Sequence, residues 1–150
     1  MGKILVIGYG NPGRQDDGLG PALASAIEGL AIPGVDVDAG YQLDVEDALA
    51  VSQHDVVVLA DADVSCDPPF RMERVQADRT LGFTSHSVPP GMLVAMAEDL
   101  FGGRAEAWIL GIRGYRFDEF GEGLSEPARL NLDAAVAALR TKIEALEENR

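Results

Sequence analysis

The chain has 150 residues and a mass of 15.9 kDa, with 47% hydrophobic and 25% charged residues, which suits a single domain over 1–150 with a substantial core. Acidic residues outnumber basic ones 25 to 12, for a formal charge of −13. Such a surface repels phosphate backbones and anionic lipid, so no nucleic acid and no membrane are expected as partners. Cys66 is the only cysteine, and the apolar run Ile4–Ile7 is too short for a signal segment or a membrane span, so a cytoplasmic protein is expected.

Ile4-Leu5-Val6-Ile7 running into Gly8-Tyr9-Gly10-Asn11-Pro12-Gly13 reads as a buried strand and a glycine-rich turn. Beyond Asp16-Asp17-Gly18, Leu19, Leu23, Ile27 and Leu30 recur at helical spacing, with the aspartates placed as N-cap and first-turn acid. That helix closes before Pro33-Gly34. Val35–Ala39 is a second strand candidate, and a short helix is expected over Val45–Val51 with Asp44 as its cap. Asp55–Asp61 is a β-branched stretch of the kind covered on both faces of a parallel sheet, and its carboxyl end delivers Asp61. Phe70–Val75 alternates apolar and charged residues as an edge strand does.

The polar loop Thr84–Pro90 leads to a helix carrying Met92, Leu93, Met96, Leu100 and Phe101, which ends at Gly102-Gly103. Ala105–Ile112 is the last strand. Gly114–Gly123 holds three glycines, three aromatics and three acids and reads as a long functional loop, either gripping a partner or capping a crevice. Ser125-Glu126-Pro127 then opens a helix whose core face is Leu132, Val136, Leu139, Ile143 and Leu146. Strands alternating with helices at this rhythm predict an α/β three-layer sandwich: a twisted, mostly parallel five-stranded sheet with helices on both faces. Chemistry in such folds sits outside the carboxyl ends of the strands, in the loops after Ile7, Asp61, Gly82 and Ile112.

Gly8-Tyr9-Gly10-Asn11-Pro12-Gly13 matches the dinucleotide fingerprint literally, with Asp36 or Asp38 at the distance of a ribose-binding acid. Against a nucleotide-binding module, Asp16 and Asp17 place two carboxylates where the pyrophosphate would bind. Asp61 ends an otherwise apolar strand, where a carboxylate costs free energy unless paired or metal-bound, and Asp63 is expected to be its solvated neighbour. Of the Asp16-Asp17 pair, one acid can cap the helix while the other faces the crevice. His54 is expected at a solvated surface position, whereas His86, in Thr84-Ser85-His86-Ser87, can be offered to the crevice. Asp17, Asp61 and His86 together form a two-carboxylate, one-imidazole set that can hold a borderline divalent metal with positions left open.

These residues carry a resemblance. The Gly-x-Gly-Asn opening and acid pair within Ile4–Gly20, Gln42-Leu43 with Glu46, Asp61-Ala62, Thr84-Ser85-His86-Ser87, and Gly111-Ile112 leading to Leu124-Ser125-Glu126-Pro127 are similar to those of the hydrogenase maturation proteases. The resemblance implies a metal-dependent endopeptidase that trims the C-terminus of a [NiFe]-hydrogenase large-subunit precursor after nickel insertion. It implies that Asp17, Asp61 and His86 bind the metal and carry the reaction. The nickel is then supplied by the precursor as a recognition element, and other divalent ions can occupy the same site. Whether nickel or an aspartate activates the water stays open, as does the alternative of a non-catalytic metal or assembly factor using the same residues. Cys66 has no assigned part.

Overall fold

A computed structural model describes residues 3–84 and 87–148. The first apolar run forms β1 (Ile4–Tyr9), two residues longer than its apolar stretch. After a 3-10 turn over Gln15–Gly18 the chain continues as α1 (Leu19–Gly29), β2 (Val35–Gly40), α2 (Asp47–Ser52), β3 (Val56–Asp63) and β4 (Phe70–Val75). It ends with α3 (Pro90–Phe101), β5 (Glu106–Arg113) and α4 (Glu126–Glu148). The strand order is β2-β1-β3-β5-β4. β2, β1, β3 and β5 run parallel, and β4 closes one edge antiparallel to β5. The sheet is five-stranded and mostly parallel, as its alternation of strands and helices predicts, and β4 is the expected edge strand.

Side-chain alternation divides the core into two layers. Ile4 and Val6 of β1, Val58 and Ala60 of β3, and Leu110 and Ile112 of β5 pack against α1 and α4. Leu5 and Ile7, with Val57 and Leu59, pack on the opposite face against α2 and α3. The α4 stripe predicted from spacing lies on the sheet, with Leu132, Leu139 and Ile143 buried. No described helix is long and apolar enough to cross a membrane.

Two local devices set the helices. Asp44 caps the turn that leads into α2 rather than the helix itself, whose N-cap is Glu46: Asp44 Oδ1 accepts from the Glu46 and Asp47 N–H groups at 3.0 and 3.3 Å, while Asp47 Oδ2 accepts from the Asp44 N–H at 2.9 Å. α3 ends where Gly102 takes the left-handed conformation, φ 67°. The start of α1 differs from expectation. Asp16 and Asp17 lie in the 3-10 turn, and no side chain caps α1, because both carboxylates are engaged elsewhere.

α1 lies unusually close to the sheet. A Cβ on Gly20 would meet the Ala60 carbonyl oxygen at 2.6 Å as well as the Tyr9 backbone, and one on Gly8 would strike the Gly20 carbonyl. The two glycines therefore serve as a backbone-to-backbone contact that lowers the start of α1 onto β1. Gly20→Ala is expected to cost about 2–3 kcal/mol by overpacking, read as a lower urea midpoint with an unchanged m-value.

Candidate functional site

β1 leads through α1 to β2 on one side, and β2 leads through α2 to β3 on the other, so strand order reverses between β1 and β3. A crevice opens at such a switch point, beyond the carboxyl ends of the strands. Here it is a cleft of about 440 Å³ lined by Tyr9, Gly10, Asp17, Tyr41, Gln42, Leu43, Asp61 and Ser87 to Pro90. Leu43 is buried, and its carbonyl accepts from the Val88 N–H at 3.0 Å, tying the loop after β2 to the segment before α3.

Asp17 and Asp61, singled out from the sequence, enter this cleft from opposite sides of the switch point. Each has one oxygen tethered to backbone. Asp17 Oδ2 accepts from the Asn11 N–H at 2.8 Å, and Asp61 Oδ1 accepts from the Ala62 N–H at 2.8 Å. Among the described residues neither of the remaining oxygens has a partner, so the pair offers one oxygen each. Burial pushes the Asp61 carboxyl up to about 7; the Ala62 N–H opposes this, and the charges of Asp17 and Asp63 add to it. A carboxyl poised there can exchange a proton near neutral pH.

His86 lies outside the described residues. On either side of it, Thr84 and Ser87 are joined by two backbone hydrogen bonds of 3.1 and 3.3 Å. Among the described residues no cluster of three His, Cys, Asp or Glu side chains is placed to hold a metal. Two free carboxylate oxygens suit a hard or borderline divalent ion that brings its other ligands with it.

Two expectations are corrected. Asp63 is not solvated: its side chain is 13% exposed and pairs with Arg71 Nε at 2.6 Å. Burial alone would raise its carboxyl, but the Arg71 hydrogen bond and those from the Ser65 and Cys66 N–H groups hold it down at about 2. Arg71 reaches it from edge strand β4 by crossing Gly111, where a Cβ would stand 2.9 Å from Asp63 Oδ2 and 3.2 Å from Arg71 Nε. His54 is not solvated either, its side chain being 8% exposed. Its Nδ1 contacts the Ala50 carbonyl at 2.6 Å and its Nε2 contacts Asp36 at 2.7 Å, at the end of the sheet away from the cleft.

Asp16, the other member of the acid pair, is fully buried and faces away from the cleft. Its carboxylate accepts from the Tyr115, Arg116 and Ser125 N–H groups and the Ser125 hydroxyl, at 2.7 to 2.9 Å. Burial would raise its carboxyl, and these bonds more than offset that and lower it. The Gly114–Gly123 loop is thereby fastened beside the 3-10 turn, with Arg14 stacked on Phe120 at 5.0 Å. That loop neither caps the Asp17–Asp61 cleft nor contributes to its lining.

The same bonds bear on the glycine turn. The N–H groups of Gly10, Asn11, Gly13, Arg14, Gln15, Asp16 and Asp17 all have acceptors within the protein. A pyrophosphate would find no free backbone donors there, which removes the physical basis of the nucleotide reading. Tyr9 and Tyr41 are the lining residues that the sequence motifs passed over. Tyr9 was available from strand parity, since Leu5, Ile7 and Tyr9 share a face. Burial raises its phenol, the charge of Asp61 raises it further and Arg71 opposes, so it stays protonated.

Strand order and the acid pair at its switch point define an α/β protein of the doubly wound class. No family model and no curated protein matches the sequence. Solved structures do match. The hydrogenase maturating endopeptidase HybD from E. coli superposes with a TM-score of 0.73 at 21% identity, covering 98% of this chain and 93% of that one. The [NiFe] hydrogenase maturation protease HycI from Thermococcus kodakarensis KOD1 gives 0.70 at 22% identity, covering 91% and 89%. The hydrogenase 2 maturation peptidase from Thaumarchaeota archaeon SCGC_AB-539-E09 gives 0.70 at 23% identity, covering 97% and 98%. At these identities the likeness is one of fold.

Proposed function

We propose that the chain is an endopeptidase of hydrogenase maturation, removing the C-terminal extension of a nickel-loaded [NiFe]-hydrogenase large-subunit precursor in the cytoplasm. The observation that carries this reading is the convergence of Asp17 and Asp61 on one cleft, each with a free oxygen, in a fold shared with solved maturation endopeptidases. With the imidazole of His86 the chain supplies three donors, too few to complete nickel coordination, while the precursor carries the nickel on ligands of its own. The two proteins bridge only when the metal is present. Recognition of the nickel then holds the adjoining tail in the cleft and turns an encounter into an oriented complex.

Burial pushes the Asp61 carboxyl up to about 7 in the metal-free cleft, so the arriving cation displaces its proton and takes its free oxygen. Asp17, fixed by the Asn11 N–H, presents its oxygen without rearrangement. The motif-based protease chemistries are absent: the sequence has no His-Glu-x-x-His and no nucleophile elbow.

The test is intact-mass spectrometry of a large-subunit precursor, nickel-loaded and nickel-free, before and after incubation with this protein. A C-terminal mass loss confined to the nickel-loaded sample is expected, reduced at least about 100-fold by Asp17→Asn or His86→Ala. Co-migration of the two proteins without any mass loss would instead favour an assembly factor.

A further inference from the structure

We propose that the Tyr9 hydroxyl binds the substrate in the cleft, donating its hydrogen bond to the carbonyl oxygen of the peptide bond to be cut and to the oxyanion that forms there. The inference rests on the peptidase reading above and names a residue that reading does not use.

Tyr9 is the last residue of β1. Leu5 and Ile7 bury on the α2/α3 face, and Tyr9, two residues further on, packs against the same cluster. On β3, Val57 and Leu59 share that face, so Asp61 projects on the same side. The register pairs Gly8 with Ala60, which brings Tyr9 level with Asp61 on the neighbouring strand, and both line the cleft. Tyr9 is half-buried, and among the described residues its hydroxyl makes no hydrogen bond, which leaves its donor open to the cleft that it lines. The other lining side chains with donors, Tyr41, Gln42 and Ser87, are exposed, Tyr41 to 72%. Tyr9 is thus the donor that the fold holds in place before substrate arrives.

A preorganised donor of this kind binds a developing oxyanion better than a neutral carbonyl, so its effect falls on the chemical step. The water oxygen bonds to the carbonyl carbon as the carbonyl π pair moves onto oxygen, where the Tyr9 O–H donates. The oxyanion pair then re-forms the carbonyl as the C–N bond breaks, and the leaving nitrogen takes up the proton that the water released.

Tyr9→Phe keeps the ring and removes only the hydroxyl; Tyr9→Met fills the space with no aromatic ring and no donor. Steady-state cleavage of the nickel-loaded precursor, followed by intact mass, is expected to show kcat reduced about 100-fold in both variants, with KM within about twofold and the melting temperature of Tyr9→Phe unchanged. Tyr9→Phe activity within twofold of wild type, or a raised KM at unchanged kcat, overturns the role of Tyr9 and leaves the peptidase reading standing. An inert wild-type protein on a precursor that carries nickel overturns both.

Discussion

Asp16→Ala is expected to destabilise the protein by about 3–5 kcal/mol, enough to leave a domain of ordinary stability largely unfolded at moderate temperature. The reason is a count of orphans. Removing the carboxylate strands the N–H groups of Tyr115, Arg116 and Ser125 and the Ser125 hydroxyl around a site with no exposure to water. Each buried donor left unpaired costs about 1–3 kcal/mol before relaxation. Asp16→Asn is the milder variant, because its amide keeps one acceptor oxygen and turns an NH₂ toward donors. Thermal melts should rank wild type above Asp16→Asn above Asp16→Ala, the last falling by about 10 °C or more. The pH dependence has a defined sign. A carboxyl lowered in the folded state contributes stability that is complete above the unfolded pKa, near 3.9, and is lost as pH falls through the folded value, so the gap between wild type and Asp16→Ala narrows in acid. Equal melts at pH 7 for wild type and Asp16→Ala would show that the carboxylate does not hold the loop.

The acid pair also shows where sequence reading stops. Adjacency offered one of Asp16 and Asp17 as the cap of α1 and the other as the crevice acid, and the resemblance chose Asp17 for the crevice; neither caps the helix. The deciding partner of Asp16, Ser125, lies 109 residues away, a contact created only by folding α4 back onto the 3-10 turn. Asp61 was legible because it interrupts an apolar strand, and a carboxylate there has a cost that asks for a reason. Asp63 carries the same strand parity, but its partner Arg71 comes from edge strand β4 and passes over Gly111, so it read as a solvated acid. His54 was misplaced for the same reason: Asp36 on β2 and the Ala50 carbonyl enclose it from other elements. Periodicity, by contrast, located the edge strand Phe70–Val75 and the core stripe of α4, because those patterns are local and the sheet enforces them.

Asp61→Asn is expected to abolish cleavage and to stabilise the protein at the same time. The buried carboxyl is pushed up to about 7 from an unfolded value near 3.9, so the folded state resists its ionisation. For a raised carboxyl, nothing is lost while both states are protonated below pH 4. Stability then falls as pH rises from about 4 to 7, and at pH 8 the full cost, on the order of 4 kcal/mol, is in place. Asparagine removes that charge and still accepts from the Ala62 N–H, so its benefit appears only where the wild type is ionised. Melting temperatures should coincide at pH 4.5 within about 2 °C and diverge at pH 8, with the variant higher by about 5–10 °C. Added Ni²⁺ should raise the wild-type melt at pH 8 and do little for Asp61→Asn, because a cation at the free oxygen stabilises the ionised form that folding disfavours. A variant that is less stable than wild type at pH 8 would place the Asp61 carboxylate in a satisfied structural pair. The expected pattern instead marks a residue whose charge the fold tolerates at a cost, and cleavage by wild type alone would link that cost to the reaction.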